Sequence, residues 1–290
     1  MWFRANHPDD VLTMPRWGLF RERQAEAVEP RSPSIRTALI TGASSGIGCE
    51  LAKILAAQHH NLVLVARDHT RLLGLSAELE SRHGITVTAI TCDLASPTAP
   101  AELLAELRQR SLVIDVLVNN AGFALGGMFA ESETAETVSL LHVNVVALTH
   151  LTRLLLPGMV ARQSGRVLNV ASIAGFYPGP LTACYNASKA FVISFSLALS
   201  NELKGTGVTV TALCPGPTRT GFAQRAGLCG TKAFRDNVMD AAAVAHAGYA
   251  AMMAGKPLAV TGLRNKLRMI PIPLVPSRVL AHFSRKYHEV

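Results

Sequence analysis

From residue 35 onward the chain alternates between short, continuously apolar runs and longer stretches whose apolar positions recur every three or four residues. The runs are 35–40 (IRTALI), 62–66 (LVLVA), 85–91 (ITVTAIT), 112–118 (LVIDVLV), 166–171 (RVLNVA) and 207–213 (GVTVTAL). Between them the spacing predicts helices over 46–59, 69–83, 98–110, 133–162, 183–204 and 236–254. A strand that is apolar at nearly every position is buried on both faces, so strands of this kind alternating with amphipathic helices form a parallel sheet between two helical layers. The expected fold is α/β, a doubly wound parallel β-sheet in a single domain over 35–255. Residues 1–34 carry Pro8, Pro15, Pro30 and Pro33 and no sustained period, which reads as a flexible leader with Met14 as an alternative start. Residues 256–290 read as a basic tail.

Composition narrows the classes. The 290 residues are 49% hydrophobic and 17% charged, with a mean hydropathy of +0.26, enough for a large core. The formal net charge of +8 is unevenly placed: 1–34 holds five basic and five acidic side chains, 35–255 holds 16 and 14, and 256–290 holds seven and one. A near-neutral central region has no basic footprint for a phosphate backbone, so no nucleic-acid partner is expected. The five cysteines (Cys49, Cys92, Cys184, Cys214, Cys229) show no zinc spacing, and His59, His60, His142 and His150 have no acids at ligand spacing; no metal is expected. Unbroken apolar stretches of membrane-spanning length are missing from this reading, and Asp9, Asp10 and the prolines break any signal-peptide core, which leaves a cytoplasmic protein as the expectation.

Thr41-Gly42-Ala43-Ser44-Ser45-Gly46-Ile47-Gly48 follows the first strand and opens the first helix. Glycines at 42, 46 and 48 permit a tight turn in which backbone amides at a helix N-terminus approach a pyrophosphate, the phosphate-binding arrangement of a Rossmann-type sheet. The spacing GxxxGxG differs from the common GxGxxG fingerprint. Strand two ends at Ala66, where an NAD site usually places an acid, and Arg67 follows with a guanidinium suited to a 2′-phosphate; NADP(H) is the expected cofactor. If the strand ran two residues further, Asp68 would be the ribose acid instead.

With these residues in place the chain resembles the short-chain dehydrogenase/reductase family over nearly all of 35–255. TGASSGIG matches the family's cofactor loop. Cys92-Asp93-Leu94 matches the segment near the adenine, and Asn119-Asn120-Ala121-Gly122 the strand-four motif. Asn144 falls where the family has its fourth catalytic residue, Ser172 ends strand five, Tyr185-Asn186-Ala187-Ser188-Lys189 supplies YxxxK, and Pro215-Gly216 with Thr218 matches the strand-six motif. The resemblance implies catalytic Ser172, Tyr185, Lys189 and Asn144. It also implies cofactor contacts from Gly42, Ser44, Ser45, Gly46, Ile47, Gly48, Arg67, Asp93, Leu94, Asn120, Ala121, Gly122, Tyr185, Lys189, Pro215, Gly216 and Thr218.

The residues themselves point the same way. Tyr185 and Lys189 stand at i and i+4 on one helix face, and an adjacent ammonium favours phenolate; a fall of about three units in the tyrosine pKa corresponds to roughly 4 kcal/mol, which the cation supplies together with the cofactor's own positive ring. Tyr185 is expected as general acid in reduction and base in oxidation, Lys189 as holder of the nicotinamide ribose, and Ser172 as hydrogen-bond donor to the carbonyl oxygen. No GxSxG elbow surrounds Ser172, which argues against a hydrolase. The resemblance gives Asn144 a relay water near Lys189; a core hydrogen bond is the alternative.

A lipophilic carbonyl or alcohol is the expected small-molecule substrate, in a pocket formed by Phe123, Leu125, Met128 and Phe129, by Ile173, Phe176, Tyr177 and Pro178, and by a glycine-rich lid over 217–235. A non-catalytic dinucleotide sensor or scaffold is the reading from another class. Helix 186–203 serves either as ordinary core or, as the family uses it, in a homodimer or homotetramer. The basic tail interleaves cations with MIPIPLVP and VLAHF; a solvated or dimer-covering tail is preferred over peripheral membrane contact, since Pro271, Pro273 and Pro276 break a long helix.

Overall fold

The computed structural model describes residues 35–235 and 238–289. The leader expected over 1–34 therefore lies outside the described residues, as do positions 236 and 237 of the helix expected over 236–254 and Val290 of the tail.

The first half of the chain runs β1 (Thr37–Thr41), α1 (Gly46–Ala57), β2 (Asn61–Ala66), α2 (His69–His83), β3 (Val87–Thr91), α3 (Ala99–Gln109) and β4 (Val116–Asn119). After a loop come α4 (Thr134–Leu141), a short π-helical segment His142–Ala147, α5 (Leu148–Ala161), β5 (Gly165–Val170), α6 (Ala183–Glu202) and β6 (Val208–Cys214). The short helices α7 (Phe222–Arg225) and α8 (Lys232–Arg235) follow. The chain then forms α9 (Ala241–Met253), β7 (Leu258–Val260), α10 (Leu263–Met269) and α11 (Ser277–His288). The seven strands pair in the order β3-β2-β1-β4-β5-β6-β7, all parallel.

Both faces of the sheet are covered, which is why the strands read as unbroken apolar runs. Ile40, Leu64, Val118 and Leu168 point into one layer with α1, α2 and α9; Leu39, Val63, Leu117 and Val167 point into the other with α3 and α5. Helix ends follow local chemistry. Asp68 caps α2 by accepting the Arg71 amide at 3.0 Å, Gly84 ends it at φ 63°, and Asp240 caps α9 through the Ala242 and Ala243 amides.

Two differences from the sequence reading have physical causes. β4 begins at Val116 rather than 112 because the Leu112 amide still donates to the Leu107 carbonyl of α3 at 2.9 Å, so the chain reaches the sheet only at Asp115, whose amide donates to the Thr37 carbonyl at 2.9 Å and whose carboxylate accepts the Thr37 amide at 3.0 Å. The seventh strand, β7, was missed: at three residues it is too short for periodicity, and it extends the sheet past the boundary drawn at 255. Thr134–Ala161 is long and apolar enough to cross a membrane by length and composition, although Glu136, Arg153, Pro157 and Gly158 interrupt it. Here it is a layer of the fold, with α5 against α3 and β5 and α4 against α6.

Candidate active site

The sheet order reverses between β1 and β4, and the crevice at such a switch point lies beyond the carboxyl ends of the strands. A cleft of about 790 Å3 occupies that place.

At one end of it the β1–α1 turn is built to bring backbone close. Gly42 and Gly46 adopt φ of 65° and 56°. A Cβ at Gly42 would stand 2.8 Å from Asn120 Nδ2, and one at Gly48 would collide with the same atom and with the Gly42 carbonyl. Asn120 staples the turn by donating from Nδ2 to the Thr41 and Gly42 carbonyls at 2.9 and 3.1 Å, while Thr41 Oγ1 accepts the Asn120 and Ala121 amides, each at 3.0 Å. The N-cap of α1, Ser45, makes no side-chain cap, and no acid lies in the first turn, so the first amides of a twelve-residue helix face the cleft unneutralised. This cradle fits a pyrophosphate.

β2 ends at Ala66, and Arg67 is exposed on the cleft rim. Asp68 is already engaged: Oδ1 accepts the Arg71 amide and Oδ2 lies 3.3 Å from Arg71 Nε. Asp68 thus caps α2 and holds Arg71, and both line the cleft beside Arg67. Asp93 is exposed, with Oδ1 accepting the Ala95 amide at 3.0 Å, and Leu94 beside it is buried.

At the other end stand Ser172, Tyr185 and Lys189. Ser172 caps the turn after β5, its Oγ accepting the Ala174 amide at 3.1 Å and donating to the Pro215 carbonyl at 3.5 Å. Lys189 Nζ donates to the Val170 carbonyl at 2.8 Å and lies 5.8 Å from the Tyr185 ring centroid. Burial dominates both pKa values: it pushes the Tyr185 phenol up to about 12, against the lowering pull of the Ser172 hydrogen bond, and the Lys189 ammonium down to about 8. In this structure desolvation is the leading influence on both groups: it raises the phenol and discourages the lysine from carrying its charge, whereas the expected downward shift of Tyr185 counted on the cofactor's positive ring as well as the ammonium.

Asn144 sits on the π-helical segment. Its Oδ1 accepts the Phe123 amide at 3.0 Å, and Nδ2 donates to the Phe123 carbonyl and to Ser188 Oγ. These bonds tie the β4 loop to α6, the core role that the sequence reading kept as the alternative; Asn144 Oδ1 would also stand 3.0 Å from a Cβ at Gly122, where Lys189 Nζ would be at 3.3 Å. On the strand-six side, Thr218 Oγ1 donates to the Gly216 carbonyl at 2.9 Å, and Gly216 leaves room for Asn265.

Of the residues singled out from sequence, Gly42, Ser44, Ser45, Gly46, Ile47, Arg67, Asp93, Leu94, Asn120, Ala121, Gly122, Ser172, Tyr185, Lys189, Pro215, Gly216 and Thr218 all line this one cleft. Gly48 and Asn144 support it from behind. From the loop over 217–235 come Phe222, Arg225, Leu228 and Phe234. Among the expected pocket residues, Phe123, Ile173 and Tyr177 line the cleft, whereas Met128 and Phe129 are 46% and 62% exposed outside it. Arg268, Met269, Ile272, Leu280, Phe283 and Tyr287, all from the tail, line it too. Their only sequence signal was apolar spacing in a segment set apart as a tail.

A sequence model described as short chain dehydrogenase matches residues 36–228. The ketoacyl reductase HetN of Nostoc sp. is 38% identical over 181 residues, 62% of this chain and 63% of that protein, so the chain spans less than two thirds of this relative. Among solved structures, a short-chain dehydrogenase from Sphingobium yanoikuyae in complex with NADPH is similar with a TM-score of 0.75 and 35% identity, over 81% of this chain and 91% of that one. One from Burkholderia phymatum in complex with NAD is similar with a TM-score of 0.73 and 27% identity, over 83% and 95%.

Proposed function

Because the chain belongs to the short-chain dehydrogenase family, we propose that it is an oxidoreductase passing a hydride between NADP(H) and the carbonyl or secondary alcohol of a lipophilic small molecule. The observation that carries this reading is one cleft with an uncapped helix N-terminus and the Arg67 guanidinium at one end and Ser172, Tyr185 and Lys189 at the other. Family neighbours hold NADPH in one case and NAD in another, so the choice rests on this chain's own residues. Arg67 offers charge to a 2′-phosphate, Ala66 occupies the usual acid position, and Asp68 is engaged by the α2 cap and by Arg71.

The α1 amides and the Gly42–Gly48 turn would hold the pyrophosphate, and Lys189 the nicotinamide ribose. When bound, the dinucleotide supplies or accepts the hydride. Ser172 donates to the substrate oxygen as negative charge develops, and Tyr185 gives that oxygen its proton. A phenol whose pKa is pushed up to about 12 holds its proton at neutral pH, the form that reduction of a ketone consumes. The apolar wall of Phe222, Leu228, Phe234, Met269 and Ile272 supports a lipophilic substrate. Exposed Val138, Leu141 and Val146 before and within the π-helical segment, with Phe191 and Leu197 on α6, support a homodimer or homotetramer built on those helices.

The test is to titrate the chain with NADPH and NADH and then screen aldehydes, diketones and long-chain ketones for cofactor consumption. Reduction of apolar ketones with NADPH preferred is expected. Tight NADPH binding that no carbonyl compound turns into consumption would favour the dinucleotide-sensor reading instead.

A further inference from the structure

α10 and the turn after it present Leu263, Leu267, Ile270 and Leu274 to solvent, at 72, 57, 69 and 85% exposure. The first three stand at i, i+4 and i+7, one face of a helix. This is not a core face left without a core, because α10 has a separate inward side. Asn265 is buried and donates to the Thr261 carbonyl at 2.9 Å, and Met269 packs against the cluster around Ile173 and Val192. Arg264 and Lys266 flank the exposed stripe on either side. Residues 256–290 hold seven basic side chains and one acid, and that acid, Glu289, is bound by Arg285 at 2.9 Å. α11 adds exposed Val279 and Phe283, at 41 and 63%, with Arg278 and Lys286 beside them.

An apolar stripe bordered by cations complements a surface that is hydrocarbon beneath and anionic above. A second copy of this chain is a poorer complement, because a two-fold contact through the stripe would set the same cations against one another. We propose that α10 and the turn after it seat the protein on an anionic lipid surface. The seat stands whether or not a ketone is reduced in the cleft. It also gives the cleft a source of substrate, since Met269, Ile272, Leu280 and Phe283 of the same segment line the cleft wall.

The full-length chain is sedimented with vesicles of phosphatidylcholine alone and with vesicles that also contain phosphatidylglycerol. Sedimentation with the anionic vesicles and release by salt are expected. Leu267→Glu with Ile270→Glu should weaken binding by roughly tenfold or more, and Lys266→Glu alone by a smaller factor, with thermal melting and NADPH binding unchanged. The proposal is overturned if the intact chain ignores both vesicle types or binds them equally. It is also overturned if the double variant sediments as the intact chain does, or if the variants dissociate an oligomer without changing vesicle binding.

Discussion

Tyr185 and Lys189 carry opposite burdens from the same burial, and each burden makes a prediction. Removing the Tyr185 hydroxyl leaves the cradle at α1 untouched, so Tyr185→Phe should lower kcat by roughly 10² to 10⁴-fold while the Kd for NADPH stays within a few fold. Steady-state kinetics and fluorescence titration check this, and retained ketone reduction would refute the assignment of the proton donor. Lys189 is a buried cation whose nearest fixed partner is the Val170 carbonyl. Its folded pKa, about 8, lies below the unfolded value, so between those two pH values the unfolded chain binds the proton and the folded chain does not. Stability from this group therefore rises with pH across that window and is lowest below it. Lys189→Met should be inactive yet melt a few degrees higher than the wild type relative to its own behaviour at pH 10, with the difference largest at pH 7. A melting difference that does not change with pH would show that the ammonium is not strained by burial. Arg67 is a simpler case: Arg67→Ala should weaken NADPH roughly 10- to 100-fold and NADH hardly at all, by equilibrium titration of both. Equal losses would tell against a 2′-phosphate contact.

At the scale of elements, the sequence was most informative where one signal decided the structure. α2 runs over His69–His83, as its spacing predicted, because Asp68 and Gly84 supply both caps. The turn at Gly42–Gly48 was legible because only glycine tolerates its backbone and its close approach to Asn120. The π-helical step at His142–Ala147 was not legible, since one extra residue per turn leaves no mark on apolar spacing. It matters because it carries Asn144, whose three hydrogen bonds join the β4 loop to α6. The exposed side of this helical layer bears on assembly. Phe191, stacked on Phe195 at 5.6 Å between ring centroids, is 40% exposed on α6. Phe191→Glu should shift the chain toward monomer in size-exclusion chromatography with light scattering, without lowering NADPH affinity. An unchanged mass would move the oligomer contact elsewhere or remove it.

Across the whole molecule, sequence and structure part ways chiefly at the carboxyl end. Seven basic residues, with Pro271, Pro273 and Pro276 among them, made 256–290 read as a tail, because charge and breakers are local signals and cleft lining is a long-range one. In the fold β7 closes the sheet edge, α10 rests on the turn after β5, and α11 stands over α8 beside the cleft. The apolar end of the cleft is thus shared between the loop that supplies Phe222 and Phe234 and the segment that supplies Ile272, Leu280 and Phe283, whereas the end at α1 is built by the β1–α1 turn, with Thr220 of the loop against Gly46. Ending the chain after Met269 keeps β7, α10 and the Asn265 bond to Thr261 but removes that second wall. Each methylene of a long substrate that loses its cover gives up about 0.8 kcal/mol of burial, so a few suffice to raise KM for a long-chain ketone roughly tenfold or more. A short diketone that reaches only Ser172 and Tyr185 should keep its KM within a few fold, and NADPH binding should be unchanged. Steady-state kinetics on the two substrates separate the outcomes: equal losses on both would mean that the segment holds up the fold rather than shaping the pocket.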